Sequence, residues 1–301
     1  MEISADPIEI RVISEPPKIT EVEGLQVKVW GDTPVPMHMM LAIISNGGIL
    51  LGAYNQEELV GFVLGIIGID ARGDKTILKH HSHMMGIDPD HRDKGIGYKL
   101  KRAQWQLVRQ QGIELITWTF NPLESRNAYL NIAKLGAVCN TYKRDIYGPM
   151  EDKLNRGVAS DRFLVELWVN SERVNRRLSR ESRRPLDLAH YLAADAVVVN
   201  ATKNNAAGWP VPFSDDMDKL DGPDGRPPLV LFEIPPDFQG LLKNDLPLAQ
   251  EWRMYSRVIF ELLFAHGYWI TDYVYLPGSS PRNYYVLSLG NATLGVFSNG
   301  N

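Results

Sequence analysis

The segment HHSHMMGIDPDHRDKGIGYKL, from His80 to Leu100, gathers residue types that can do chemistry. If its first half is a strand, alternation places His81, His83 and Met85 on one face and turns His80 to the other. An imidazole titrates near pH 6.5, so it can take a proton from an ammonium group at neutral pH, directly or through water. Two on one face could form a relay. The second half, Arg92-Asp93-Lys94-Gly95-Ile96-Gly97, lies between that strand and a helix. Unpaired N–H groups and the helix dipole favour phosphate there. Glycines at 95 and 97 let the backbone approach a ligand, and Arg92 and Lys94 add charge. Three readings follow: a phosphate cradle with a base beside it, a metal site from His81, His83 and His91, or a hydrogen-bonded strand and a tight turn. No cysteine or carboxylate completes a zinc set. A dinucleotide fingerprint would need glycine where Leu100 stands, and no Gly-Lys-Ser/Thr provides a P-loop.

The elements that must position these residues are legible on both sides. Glu9–Ile13 reads as a strand, and 19–30 and 37–44 have helical spacing of apolar residues. Ile49–Tyr54 and Leu59–Ile69 form a hairpin pattern around Asn55-Gln56-Glu57-Glu58, and Ile77–Ile87 is the histidine strand. Ile96, Leu100, Ala103, Leu107 and Val108 stripe one side of a helix over 96–111, which Gly112 ends. A strand at 114–120, a helix at 125–135 and a strand at 138–147 complete a β-α-α-β-β-β-α-β-α-β order. This is an α/β class with a mixed sheet whose first part is antiparallel.

Beyond it, 156–185 is charged and holds one strand, 163–169. Its run Arg176-Arg177-Leu-Ser-Arg180-Glu-Ser-Arg183-Arg184 reads as a solvated linker or helix face. A second α/β unit has strands at 196–200, 229–234 and 284–289 and a helix at 246–265. The expected division is 1–155, a connecting segment 156–185, and 186–301.

The 301 residues are 44% hydrophobic and 23% charged, ordinary for a globular protein. A net charge of −4 excludes a general nucleic-acid or anionic-membrane binder. Cys139 is the single cysteine, so intramolecular disulfides and cysteine–zinc clusters are excluded. The acidic N-terminus does not read as a secretory signal and no apolar run is long enough to span a membrane. A cytoplasmic location is expected, and the glycosylation matches at Asn200 and Asn291 are read as chance.

Ile87-Asp-Pro-Asp-His-Arg-Asp-Lys-Gly-Ile-Gly97, preceded by hairpin and strand and followed by an amphipathic helix, resembles the acyl-CoA-binding motif Arg/Gln-x-x-Gly-x-Gly/Ala of the GNAT acetyltransferases. Ala128-Tyr-Leu-Asn-Ile-Ala-Lys-Leu-Gly136 resembles their later Tyr-Glu-Lys-Leu-Gly helix. The resemblance covers about residues 5–150. It implies a GNAT fold in which Arg92, Asp93, Lys94, Gly95, Ile96, Gly97 and Tyr98 hold the pyrophosphate of coenzyme A. Met85, Gly86 and Ile87 would pair with the pantetheine arm, and the N–H near Met85 would be the oxyanion donor. His81-x-His83 resembles the strand pair of the arylalkylamine acetyltransferase branch, which implies a base titrating near about pH 6–7. Ile132 stands where many members carry the tyrosine that protonates the leaving thiolate; Tyr129 or Tyr142 could substitute, or the thiolate leaves unassisted.

The implied activity is transfer of an acyl group from acetyl-CoA, or another short acyl-CoA, to a primary amine in a ternary complex, without metal. The expected partner is a small, amino-acid-like amine, with a homodimer as candidate assembly. The alternative is a non-catalytic acyl-CoA-binding or regulatory module. The region 186–301 would be a degenerate GNAT-like unit without its own CoA loop.

Overall fold

A computed structural model of the chain describes residues 8–31, 34–149, 157–179, 186–215, 220 and 225–290. Arg180, Arg183, Arg184 and Asn291 lie outside them. Two compact units result: residues 1–118 with 168–170, and residues 119–167 with 171–301.

The first unit carries the histidine strand. Its elements are β1 (Ile8–Val12), α1 (Pro16–Trp30), α2 (Met37–Ser45), β2 (Ile49–Asn55), β3 (Glu58–Arg72), β4 (Lys75–Ile87), α3 (Ile96–Gln110) and the start of β5 (Leu115–Phe120). The sheet order is β1-β2-β3-β4-β5. Its first three pairings are antiparallel and β4–β5 is parallel, as the alternation of hairpins with a crossover helix requires. Ile19, Val22 and Leu25 of α1 and Met40 of α2 pack with Leu50, Tyr54, Phe62 and Leu64 on one face. Burying a side chain such as Phe62 contributes about 2 kcal/mol.

The other face takes α3. Its buried side is not wholly apolar: Lys101 and Gln104 are buried with Ile96, Leu100, Trp105 and Val108. Gly65 of β3 makes this approach feasible, because a Cβ there would lie 1.9 Å from His80 Nε2 and 2.8 Å from Gln104 Nε2.

The second unit contains α4 (Ser125–Ala128), continued by a π-helical turn (Tyr129–Lys134), then β6 (Val138–Lys143), β7 (Arg162–Trp168, to Leu167 in this unit) and α5 (Glu172–Leu178). There follow α6 (Leu188–Ala193), β8 (Val197–Asn204), β9 (Pro210–Asp215), β10 (Leu229–Ile234), α7 (Phe238–Asn244), α8 (Leu246–Ala265), β11 (Tyr268–Leu276) and β12 (Arg282–Leu289). The strand order is β7-β6-β11-β12-β10-β8-β9. An aromatic core ties helix to sheet: Phe260 of α8 lies 4.5 Å from Phe232 and 4.7 Å from Phe163, centroid to centroid. Asn200 is fully buried, its amide bonded to the Glu233 backbone, which keeps its glycosylation pattern from use in the folded chain.

The element order expected over residues 8–143 is the order found. The strand expected at 138–147 stops at Lys143. Of the arginine run read as a solvated linker or helix face, Arg176 and Arg177 lie on α5; Arg176 is exposed, but the Arg177 side chain is buried and pairs with Asp272 at 2.9 Å. Elements α6, α7, β9 and β11 come in addition.

Candidate functional site

The site begins with a break in the β3–β4 ladder. Leu64 faces Met84, but the next residue, Gly65, faces Ser82, so His83 is the extra residue of a β-bulge. Bulges re-aim side chains and occur beside active sites. This one corrects the expectation from simple alternation. His81 lies opposite Ile66, on the face of Leu64 and Met84. Met85 lies opposite Val63, on the face where Ser82 and His80 meet α3. His81 and His83 therefore remain together, and Met85 is on the other side of the strand.

The two rings are tilted by 44° with centroids 6.4 Å apart, and no hydrogen bond joins them. His81 Nδ1 is 3.2 Å from Thr117 Oγ1 of β5. In the tautomer whose Nδ1–H donates to Thr117, Nε2 keeps the lone pair. Desolvation, reinforced by His83, Lys79 and Lys101, pulls His81 down to about 4. Desolvation also lowers His83, although it is the more exposed ring. At neutral pH both can accept a proton, and the titration range of about 6–7 expected of a free imidazole does not apply to His81.

Just before the bulge, β4 loses its partner on one side. Its pairing with β5 covers Lys79–His81 against Leu115–Thr117, so Ser82 and Trp118 are the first residues beyond the fork. From there β4 runs through Met85, Gly86 and Ile87, paired with β3, into the turn. Asp88 anchors the turn: its carboxylate accepts from Lys28 Nζ at 2.6 Å and from Asp90 N–H at 3.1 Å. Burial alone would raise Asp88, but Lys28 and the turn N–H hold it below the usual carboxylate range.

Arg92, Asp93, Lys94 and Gly95 are exposed, and Lys94 Nζ donates to the Asp90 carbonyl at 3.2 Å. Asp93 (φ 62°) and Gly95 (φ 75°) are left-handed. Gly95 is the N-cap of α3, has no side-chain cap, and has nothing within 4 Å of where a Cβ would be. Ile96 is buried and anchors the first turn, which also holds Gly97 and Tyr98. The arrangement is an exposed, cation-flanked helix N-terminus following directly from an open strand edge, able to hold an anion.

On the α3 face lies a polar chain that the sequence pattern did not disclose. Lys101 Nζ donates to Ser82 Oγ at 2.6 Å, Ser82 Oγ donates to Gln104 Oε1 at 2.9 Å, and Gln104 Nε2 donates to His80 Nε2 at 3.1 Å. The Lys101 ammonium also lies 4.0 Å from the centroid of the Trp118 ring. Desolvation, with Lys101 and His81 nearby, holds His80 down to about 3. A signal for Lys101 existed: residues 97, 101, 104 and 108 fall on one stripe of the helix.

The other candidates have surroundings of their own. His91 sits on the 3-10 turn 89–91, its Nδ1 4.0 Å from Asp88. Among the described residues no group of three or more His, Cys, Asp or Glu is placed to hold a metal ion. Tyr129 belongs to the second unit, 36% exposed. Tyr142, also there, donates its hydroxyl to Asp161 at 2.7 Å and is driven upward by burial. Ile132 is fully buried. Cys139 is buried and its thiol is pushed up by desolvation, which makes it a poor nucleophile.

Residues 17–132 match the model of the acetyltransferase (GNAT) family. No curated protein matches the chain. Among solved structures, the chain is similar to the ribosomal-protein-S18-alanine N-acetyltransferase from Escherichia coli at 13% identity, over 54% of this chain and 94% of that one, TM-score 0.41. It is similar to an acetyltransferase of the GNAT family from Streptococcus pneumoniae at 16% identity, over 53% and 98%, TM-score 0.42. It is also similar to Arabidopsis thaliana NAA60 in complex with acetyl-CoA at 14% identity, over 54% and 99%, TM-score 0.43.

Proposed function

Because residues 17–132 are an acetyltransferase domain of the GNAT family, we propose that this enzyme transfers an acyl group from a short acyl-CoA to a primary amine at the fork between β4 and β5. The observation that carries the proposal is continuity. The open β4 edge begins at the histidine bulge and ends in the exposed left-handed turn at the N-terminus of α3.

In this reading the turn 92–97 holds the pyrophosphate of the donor, with Arg92 and Lys94 supplying charge and Asp93 and Tyr98 shaping the turn around it. The pantetheine arm follows Ile87, Gly86 and Met85 back toward the fork, and the Met85 N–H receives the thioester oxygen. The acceptor nitrogen bonds to the carbonyl carbon, the C–S bond breaks with its electron pair on sulfur, and CoA leaves as the thiolate. The bound nitrogen becomes a strong acid as the bond forms, so a neutral imidazole at His81 can remove its proton and His83 can pass it outward. A small amine acceptor, a cytoplasmic setting, a homodimer, and 186–301 as a further α/β domain belong to the same proposal. Among the described residues, no helix is long and apolar enough to cross a membrane.

Incubation with acetyl-CoA and a library of primary amines, read by thiol release, tests the activity. Release that depends on one class of amine is the expected result. CoA binding without release from any acetyl- or succinyl-CoA and amine combination would favour a non-catalytic acyl-CoA module, for which the buried Ile132 speaks.

A further inference from the structure

Lys101 is a buried cation with no acid beside it. It is 7% exposed, its contacts are the Ser82 hydroxyl at 2.6 Å and the Trp118 ring at 4.0 Å, and among the described residues no carboxylate pairs with it. Ser82 is held as its acceptor, because the Ser82 proton goes to Gln104 Oε1. A buried ammonium partnered only by a hydroxyl and a ring lacks most of what it loses from water. Desolvation accordingly pulls Lys101 down to about 7. Such a group is costly to keep unless something anionic comes to it.

Its position says what that would be. Ser82 and Trp118 are the first residues past the β4–β5 pairing, so Lys101 closes the inner end of the fork from the α3 face. On the acyl-CoA reading, on which this inference rests, the donor runs from the turn along Ile87 to Met85 and its acyl tail continues toward Ser82. The strand from Met85 to Ser82 spans roughly 10 Å at about 3.3 Å per residue. An acetyl methyl ends well short of Lys101. A four-carbon chain with a terminal carboxylate, plus one charge-assisted hydrogen bond of about 2.8 Å, covers most of that span.

We propose that Lys101, oriented by Ser82, binds the distal carboxylate of a short dicarboxylic acyl-CoA and so sets the acyl group that this site prefers. The carboxylate is held and undergoes no bond change during transfer. His80 and Gln104 fix the hydroxyl that fixes the ammonium, and they are positioning residues.

Calorimetric titrations of the full chain with CoA, butyryl-CoA and succinyl-CoA test this. The two acyl groups have the same number of carbons and differ in the terminal charge. The wild type should bind succinyl-CoA about 10- to 100-fold more tightly than butyryl-CoA, the range of one hydrogen bond to a charged group. Lys101→Met should abolish or invert that preference and leave CoA affinity within about 3-fold. Ser82→Ala should weaken the preference and keep its sign. Equal wild-type affinity for the two donors, or an unchanged preference in Lys101→Met, overturns the inference while leaving the acyl-CoA reading intact. Failure of the wild type to bind CoA at all removes both.

Discussion

His81 Nδ1 stands 3.2 Å from Thr117 Oγ1 at the last paired position of β4 and β5. The contact holds the ring where the strands part, and in the tautomer whose Nδ1–H donates to Thr117 the Nε2 carries the lone pair. Thr117→Val should lower kcat by about 3- to 10-fold, and His81→Ala by roughly 10- to 1000-fold, with CoA affinity unchanged in both. The sign of the pH dependence follows from the lowered pKa: the neutral ring is the active form, so kcat/KM falls as pH drops through about 4. A kcat/KM profile inflecting near 6.5 would point to a base other than His81.

Stability should show a related acid limb. His80 is fully buried and held down to about 3, while in the unfolded chain it titrates near about 6.5. Below that value the unfolded state binds a proton that the folded state refuses, so the contribution is present above about 6.5 and is lost as pH falls toward 3. His81 and His83 act in the same direction. Denaturant titrations between pH 7 and 4 should lose about 3 kcal/mol per fully shifted histidine. A flat profile would contradict the burial of His80.

Lys101 should also weigh on stability. Its folded pKa, about 7, lies below the ordinary lysine value of 10.5, so wild-type stability should rise as pH climbs between them. The neighbouring charged or titratable groups are His80 and His81 of β4, both neutral over that range. Lys101→Met should remove the rise and stabilise the protein by roughly 1–3 kcal/mol near pH 7. Thermal unfolding of the two proteins at pH 7 and 9.5 checks it; a less stable variant would show that the ammonium is satisfied in the folded state.

The two tyrosines separate cleanly. Tyr142→Phe removes a hydroxyl bonded to the Asp161 carboxylate, so it should cost about 1–3 kcal/mol of stability and leave kcat unchanged. Tyr129→Phe, on a half-exposed ring, should leave stability within about 0.5 kcal/mol. If Tyr129 supplies the thiolate proton, Tyr129→Phe lowers kcat by about 10-fold or more; unchanged turnover would exclude it from that role.

Much of this arrangement was legible because it rests on local rules. Apolar spacing gave α1, α2 and α3, the Asn55–Glu58 stretch gave the β2–β3 hairpin, and the glycines at 95 and 97 marked the turn. What alternation could not give was the bulge at His83, since the rule assumes an unbroken ladder; the extra residue moves Met85 to the opposite face. Lys101 and Gln104 were missed because polar residues on a helix read as surface, and only the third dimension shows them meeting Ser82 and His80. The π-helical turn at Tyr129–Lys134 was likewise invisible, its apolar spacing being close to that of an α-helix. β11 escaped because Thr271 and Asp272 interrupt its apolar run.

The central claim is that the β4–α3 turn holds coenzyme A, and calorimetric titration of CoA into wild type and Gly97→Asp tests it most directly. Gly97 lies in the first turn of α3, where an added side chain and negative charge would both oppose a pyrophosphate. The account predicts one CoA per wild-type chain, and at least about a 100-fold loss of affinity in the variant with its circular dichroism spectrum retained. Unchanged affinity in Gly97→Asp, or two CoA molecules per chain, would contradict it.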